Sequence, residues 1–473
     1  MEVDVLGVGL GPFNLGLAAL LAGADTGLST VFLDQQEDYS WHAGMLIPGT
    51  TLEVPFLADL VTLADPTNRY SYLNYLREKG RLYRFYFHET FQTPRREYSD
   101  YLSWVADELS TTRFGRRVTE VREFRVFEES RDGFLVEAVD TSTGDSSFYL
   151  AENLVLGVGT KPYVPDCFSG FVGGPGSSEN GAGESGSGPV GRNLSATNGD
   201  SDGSMFHTSR YLDNREVLLD ELGDGGTVTV VGSGQSAAEV VLDLLESRDG
   251  TEEFRLDWVT RSEGFFPMEY SKLGLQHFTP DYVDYFYGLR EGKKDDVRTD
   301  QDLLYKGIDV GTSEEIYDEL YRQSIGDDDP GFGMVAHTEI VDVEAGGNGY
   351  RLYCRHQENG DEFGFETDAV VLGTGYHRPD PEFLEPIESK IRRDSDGRYV
   401  VSRDYRVETD LEGGIFVQNA DIHSHGVGSP DLGLGCYRNT VIINELTGRE
   451  TYRVDRDTVF QDFDVESFLE GRK

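Results

Sequence analysis

The chain of 473 residues carries 86 acidic against 42 basic side chains, a formal net charge of −44. That length exceeds one ordinary hydrophobic core, so two domains or more are expected, and that charge argues against nucleic acid as a partner. The three cysteines, Cys167, Cys354 and Cys436, are scattered without a CxxC pair, which excludes a zinc site and a redox disulfide. With no leader-like opening and no apolar run approaching a membrane span, a soluble cytoplasmic protein is expected. The acid is spread over surface-like segments such as Glu252-Glu253, Asp295-Asp296 and Asp327-Asp328-Asp329, and lysine is scarce beside arginine. A chain so charged repels itself at low salt and is relieved where salt screens the repulsion. The composition therefore points to a salt-loving source and says little about chemistry.

In chain order, the apolar run Val3 to Leu6 leads into Gly7-Val8-Gly9-Leu10-Gly11-Pro12 and then into an apolar helical stretch, Leu15 to Leu21. In a strand–loop–helix setting the glycines let the backbone approach a pyrophosphate at the positive end of the helix. The next strand, Thr30 to Leu33, ends in Asp34, where an acid accepts both ribose hydroxyls of an adenosine. Alternating strands from Val118 to Tyr149 precede a buried strand, Asn153 to Leu156, which runs into a Gly-Thr turn ending at Pro162. Gly173 to Ser204 is rich in Gly, Ser, Asn and Glu and almost free of apolar residues, so it reads as a disordered surface insertion without chemistry.

A second loop, Gly232-Ser233-Gly234-Gln235-Ser236-Ala237, follows Val228 to Val231 and precedes the apolar stretch Ala237 to Leu245. Arg261 ends the strand after that helix, where an arginine in place of an acid suits a 2′-phosphate. Helical patterning from Pro280 to Gln323 puts Ile316, Leu320 and Tyr321 on one face. The strand Ala369 to Leu372, with its Gly-Thr-Gly turn, repeats the Asn153-to-Pro162 element. Gly414 to Gln418 reads as a closing strand before an apolar helix, Asn439 to Leu446. One glycine loop alone is weak evidence. Two, each between a strand and a helix, have the layout of a flavin enzyme reduced by a nicotinamide.

Several motifs make the reading more specific: Gly9-Leu10-Gly11-Pro12-Phe13-Asn14-Leu15, with proline where a third glycine is usual; Ser40-Trp41-His42-Ala43-Gly44-Met45; Phe56-Leu57-Ala58-Asp59-Leu60; Phe206-His207-Thr208-Ser209-Arg210-Tyr211; and Val371-Leu372-Gly373-Thr374-Gly375-Tyr376. In this order they resemble the N-hydroxylating flavin monooxygenases of siderophore biosynthesis, namely the lysine N6- and ornithine N5-hydroxylases and their diamine-acting relatives. The resemblance implies an α/β fold of two dinucleotide-binding, Rossmann-like domains with the NADPH domain inserted in the FAD domain. Residues 1–165 and 366–473 would then bind FAD, 205–365 (with the helical segment 280–323) would bind NADPH, and 173–204 would be the insertion. It also implies that NADPH reduces FAD, that oxygen adds to the reduced flavin at C4a, and that the hydroperoxide passes one oxygen to a primary amine. Flavin contacts are implied for Gly7, Gly9, Gly11, Pro12, Asn14, Asp34, Trp41, His42, Met45 and Glu53. NADPH contacts are implied for Gly232, Gly234, Gln235, Ser236 and Arg261, with Arg210 as the next candidate for the 2′-phosphate. No side-chain nucleophile and no metal is required. The partners expected are a small amine and O2, without nucleic acid or membrane, and a homo-oligomer is left open.

The departures from that family concern the substrate. The amino-acid hydroxylases place a lysine, an asparagine and a serine where this chain has Ala58, Leu275 and Gly433, and a further asparagine where it has Leu304. With Asp59, the first three make up the expected substrate pocket. A carboxylate buried there without a cation would be costly. A diamine (1,3-diaminopropane, putrescine or cadaverine) is therefore expected. The alternative is lysine or ornithine, with Lys272 or Lys306 gripping the carboxylate. Glu53, where the family usually has glutamine, adds negative charge that favours a dication. A disulfide reductase of the thioredoxin-reductase kind would share the two-loop layout but needs the paired cysteines that are missing. A non-catalytic dinucleotide sensor would not need the complete set of flavin motifs.

Overall fold

A computed structural model of the chain describes residues 1–126, 131–172, 204–223, 225–248, 254–326, 330–347 and 349–470. The insertion expected at 173–204 lies outside the described residues except for Ser204. The opening strand, Glu2–Val8, is buried on both faces from Val5 to Val8, as suits a parallel strand covered on both sides. It pairs in parallel with Thr30–Leu33 on one side and with Ser146–Leu156 on the other. Ser146–Leu156 is the switch of this seven-stranded sheet. Its first half runs antiparallel to Arg131–Asp140, and its second half runs parallel to Glu2–Val8 and Gly414–Val417. A strand from the C-terminal part of the chain thus completes a sheet begun at residue 2.

The helix Pro12–Gly23 starts on Gly11 as its extended N-cap, with Pro12 pre-set for the first turn. It is buried almost all round, between Arg95–Glu108 and Gly433–Thr447. A side chain at Gly16 would meet Asn439 Nδ2 and the Leu60 carbonyl at 3.0 Å, so glycine there lets the helix seat against the Asn439 side chain and the Leu60 loop.

The second sheet is wholly parallel, in the order Met205–His207, Ala369–Leu372, Thr227–Val231, Arg255–Val259, Phe332–Val335. Thr227–Val231 is β-branched throughout and buries Val228 and Val230 completely. The helix Gln235–Glu246 lays Ala237, Val240, Val241 and Leu244 on this sheet. An antiparallel three-stranded sheet, Thr338–Gly346, Gly349–His356 and Glu362–Thr367, adjoins it. The chain passes between the large sheets twice, and the two passages pair as Lys161–Pro162 against Tyr376–His377.

Three expectations are corrected. The boundary at residue 366 falls too early: Ala369–Leu372 pairs inside the second sheet, so the return to the first sheet comes after Leu372. The helical segment 280–323 does not act as one unit. Pro280–Gly288 packs with Leu304 and Val427, and against Phe463 of the C-terminal segment, whereas Val310–Gln323 lies on Gln235–Glu246. Tyr321 is exposed; Ile316 is buried and Leu320 packs against the same core.

Candidate active site

The two glycine loops share one geometry. Gly9 has φ of +83°, and a Cβ there would stand 2.4 Å from the Gly157 carbonyl. Gly232 has φ of +121°, with the Gly373 carbonyl at 2.2 Å from the same position. Each is fixed by the next strand of its own sheet. The N-cap glycines differ: nothing stands within 4 Å of a Cβ at Gly11 or Gly234. Tight turns with open space at the helix N-terminus are what a pyrophosphate needs, and both loops fit one. Gly7 is held by Phe32, which a Cβ would meet at 2.1 Å.

Asn14 is fully buried, and its amide donates to the carbonyls of Gly9 (2.8 Å), Val155 (3.3 Å) and Val8 (3.4 Å). In this way it clamps the shape of the loop expected to hold the flavin. Asp34 ends its strand as expected and accepts from Leu10 N at 2.7 Å and from Gln36 N at 2.9 Å. In the second loop Ser236 is half-buried in the first turn of its helix. Gln235 is engaged within the protein: its amide donates to Glu239 and Thr312, both at 3.0 Å, and its carbonyl accepts from Asp309 N at 2.7 Å. Its side chain thus ties two helices together. Arg261 is exposed just past Arg255–Val259 and forms no ion pair among the described residues, whereas Arg210 is drawn toward Asp213 at 3.8 Å.

Between the loops lies the Trp41–Met45 turn. His42 adopts a left-handed backbone with φ of +51°, and its ring stands 4.9 Å from Trp41 and 5.9 Å from Tyr376. Tyr376 in turn stands 5.1 Å from His207. His42 keeps an exposed face, yet desolvation by the surrounding protein, and then Arg95, push its imidazole down to about 4. Gly44 is required here, because a Cβ would lie 2.0 Å from the Ser209 carbonyl. The Met45 side chain packs into the apolar core of the second sheet and anchors the turn there.

Arg95 does more of this joining than any predicted residue. Its guanidinium forms a two-pronged pair with Glu239 at 2.6 and 2.5 Å and donates to the Met45 carbonyl at 3.1 Å. Planar guanidinium and carboxylate match in this way, which fixes orientation as well as distance. Nothing at the sequence level set Arg95 apart from Arg96 beside it. Glu53 faces Asp309 and Glu239. Burial, followed by those neighbours, pushes its carboxyl up to about 8.

At the other end, the structure brings Ala58 to Gly433. A Cβ on Gly433 would lie 3.8 Å from the Ala58 methyl and 2.9 Å from Asp431 Oδ1. Leu275 is half-buried in the turn Gly274–His277, and its neighbour Phe278 abuts Gly428 of the same loop. Leu304 is buried with Tyr282, Phe286 and Val427 and belongs to that cluster's packing. Asp59 is buried, and its carboxylate accepts from Val61 N, Thr62 N, Thr62 Oγ1 and Tyr72 N at 2.6–3.0 Å and shapes its own loop. Lys306 is bonded to Asp302 at 2.9 Å, and Lys272 is exposed.

Behind this end is a buried network that sequence reading missed. Asp421 accepts from Arg438 at 3.2 Å and from Ser429 Oγ at 2.7 Å, and Arg438 lies 4.3 Å over the Phe13 ring. The residues come from separate segments with ordinary spacing, so only the fold makes them a unit.

A family model for L-lysine 6-monooxygenase/L-ornithine 5-monooxygenase matches residues 1–178 and 193–378. The rhizobactin siderophore biosynthesis protein RhbE of Rhizobium meliloti (strain 1021) is 42% identical, over 98% of this chain and 96% of its own length. Among solved structures, DfoA bound to FAD, the desferrioxamine-pathway cadaverine monooxygenase of Erwinia amylovora, matches with a TM-score of 0.86 at 38% identity, covering 98% of this chain and 99% of that one. The Kutzneria sp. 744 ornithine N-hydroxylase KtzI, with reduced FAD, NADP+ and L-ornithine, matches with a TM-score of 0.80 at 27% identity, covering 94% and 99%.

Proposed function

The chain belongs to the L-lysine 6-monooxygenase/L-ornithine 5-monooxygenase family, and from that premise we propose that it hydroxylates one nitrogen of a short aliphatic diamine. Its cofactors are FAD and NADPH, and it is a flavin N-monooxygenase of siderophore biosynthesis. Bound flavin, reduced by NADPH, supplies the oxygen activation and the atom transfer. The chain's own residues bind, orient and exclude water. Gly9, Gly11 and Pro12 would cradle the FAD pyrophosphate, and Asp34 would hold its ribose. Gly232, Gly234 and the free N–H groups at the start of Gln235–Glu246 would cradle that of NADPH, with Arg261 toward the 2′-phosphate. The turn carrying Trp41 and His42 would lie against the flavin.

The observation that carries the substrate reading is the apolar approach of Ala58 to the Gly433 position, 3.8 Å, where the amino-acid enzymes grip a carboxylate. Neither candidate replacement cation serves, since Lys306 pairs with Asp302 and Lys272 is exposed. The reacting amine has a free pKa of about 10, and giving up its proton at neutral pH costs about 4 kcal/mol. Burial in a dry pocket offsets much of that by disfavouring the ammonium. Cytoplasmic location and work at high salt belong to the same proposal. They are supported by the net charge of −44 and by the lack, among the described residues, of any helix long and apolar enough to cross a membrane.

The test is coupled hydroxylamine formation by FAD-loaded protein in molar KCl, with 1,3-diaminopropane, putrescine, cadaverine, ornithine and lysine side by side. Coupled turnover of at least one diamine, with both amino acids poor, is expected. Efficient turnover of lysine or ornithine with the diamines inert would overturn the substrate reading.

A further inference from the structure

A diamine has a second nitrogen, and at neutral pH it is an ammonium. If the pocket end formed by Ala58 and Gly433 takes that nitrogen, it has to answer a positive charge where the amino-acid enzymes answer a negative one. We propose that Asp431 selects the diamine by holding its non-reacting ammonium on the Asp431 carboxylate, at the end of the pocket formed by Ala58 and Gly433. This rests on the diamine reading above.

Four observations support it. Asp431 lies beside that end: its Oδ1 is 2.9 Å from where a Gly433 side chain would begin, so glycine at 433 leaves the carboxylate its room. No lysine, arginine or histidine forms an ion pair with it among the described residues; the nearby Arg438 is committed to Asp421 at 3.2 Å. Its surroundings are poor in compensation. Burial pushes the carboxyl up to about 6 against only two backbone N–H groups and the charge of Arg438, and the Tyr98 and Tyr270 phenols feel its charge. Finally, Asp431 is only half-buried by area, so it keeps accessible surface for a ligand, unlike Asp59 with its four donors. A half-buried carboxylate without a protein cation gains most from a cation brought by the substrate.

Asp431 also has a structural task. Its Oδ1 accepts from Leu434 N at 3.3 Å, in the first turn of Gly433–Thr447. The Asn carbonyl oxygen can accept from the same N–H. Asp431→Asn therefore keeps that acceptor and removes the charge.

The experiment compares FAD-loaded wild type, D431N and E53Q on putrescine and on n-butylamine, which has the same length and no second nitrogen. Wild type is expected to prefer putrescine. In D431N the putrescine-to-butylamine ratio of kcat/KM should fall roughly 10- to 100-fold, the loss of one charge-assisted contact, mainly through the KM for putrescine. Flavin content and the KM for NADPH should hold. An unchanged ratio in D431N overturns the proposal, as does a ratio that collapses in E53Q but not in D431N. Equilibrium binding to the wild-type holoenzyme needs no variant: n-butylamine binding as tightly as putrescine overturns the assignment. Turnover of lysine or ornithine with both amines inert defeats the diamine reading itself, whereas diamine turnover with an unchanged D431N ratio defeats the Asp431 assignment alone.

Discussion

Glu53 holds a proton that the unfolded chain would release. Its carboxyl, pushed up to about 8 by burial, Asp309 and Glu239, stands above the unfolded value of about 4.3. Between those two pH values the folded protein binds more protons than the unfolded one, so stability falls as pH rises through that window. Glu53→Gln should remove the slope. In constant high salt its unfolding midpoint should match wild type near pH 4 and exceed it near pH 8, by about 1–3 kcal/mol once solvent screening of a half-buried group is allowed for. A parallel pH dependence in variant and wild type would place the titration elsewhere. Arg261 governs a different choice. Arg261→Ala should raise the KM for NADPH far more than that for NADH, because only the former has a 2′-phosphate to lose. Equal effects would pass the role to Arg210.

At the scale of elements, a buried ionic contact holds a loop to the helix that follows it. Asp421 and Arg438, each almost wholly buried, tie the loop after Gly414–Val417 to the helix Gly433–Thr447. Burial alone would raise the Asp421 carboxyl, but Arg438, His425, Ser429 and Arg378 hold it below its ordinary value. Its contribution to stability is thus present above the unfolded pKa of about 3.9 and lost as pH falls below it. Asp421→Asn leaves Arg438 buried without its counter-charge and should cost about 3–5 kcal/mol in denaturant titration near neutral pH. The acid limb of the stability curve should flatten with it. The insertion expected at Gly173 to Ser204, part of which the family model passes over, carries the opposite expectation. Replacing it with a short linker should leave flavin content and coupled turnover unchanged within twofold, since loop closure costs only about 0.6 kcal/mol per doubling of length.

Self-repulsion at a net charge of −44 acts on the whole molecule at once. Salt bridges relieve it only locally: many of those on the surface, such as Arg69–Glu108 and Arg355–Glu362, are solvent-exposed and worth little. Stability should therefore rise steeply as KCl goes from tenths of molar to molar, because the screening length shrinks from about 10 Å to about 3 Å. A thermal midpoint that is flat or falling over that range would remove the salt reading and leave the chemistry untouched. The Arg95–Glu239 pair, largely buried between the sheets, should hold across the same range because solvent ions do not reach it.

Much was legible before any coordinates, because it rests on short-range order. Strand, glycine turn and helix are contiguous in sequence, so Gly9 and Gly232 could be placed, and their positive φ and close carbonyl neighbours follow the same logic. The closing strand Gly414–Val417 was legible from its apolar run, and its partner Ser146–Leu156 follows from parallel pairing at the sheet centre. What contiguity cannot reveal is which of several suitable polar residues finds a partner. Asn14, Gln235 and Asp59 have the chemistry of ligand contacts, and only the fold shows that each also bonds to backbone or helix partners, since an unpaired polar group in the interior is costly. The division of the helical segment 280–323 was equally invisible, because both halves have the same amphipathic period and only packing decides which core each one covers. The tertiary structure alone brings Ala58, Asp431 and Gly433 together across more than 370 residues of chain. In the sequence Ala58 and Gly433 stand out as departures from the family's pattern, whereas nothing marks Asp431. Folded, they stand side by side, and no lysine, arginine or histidine among the described residues forms an ion pair with that carboxylate.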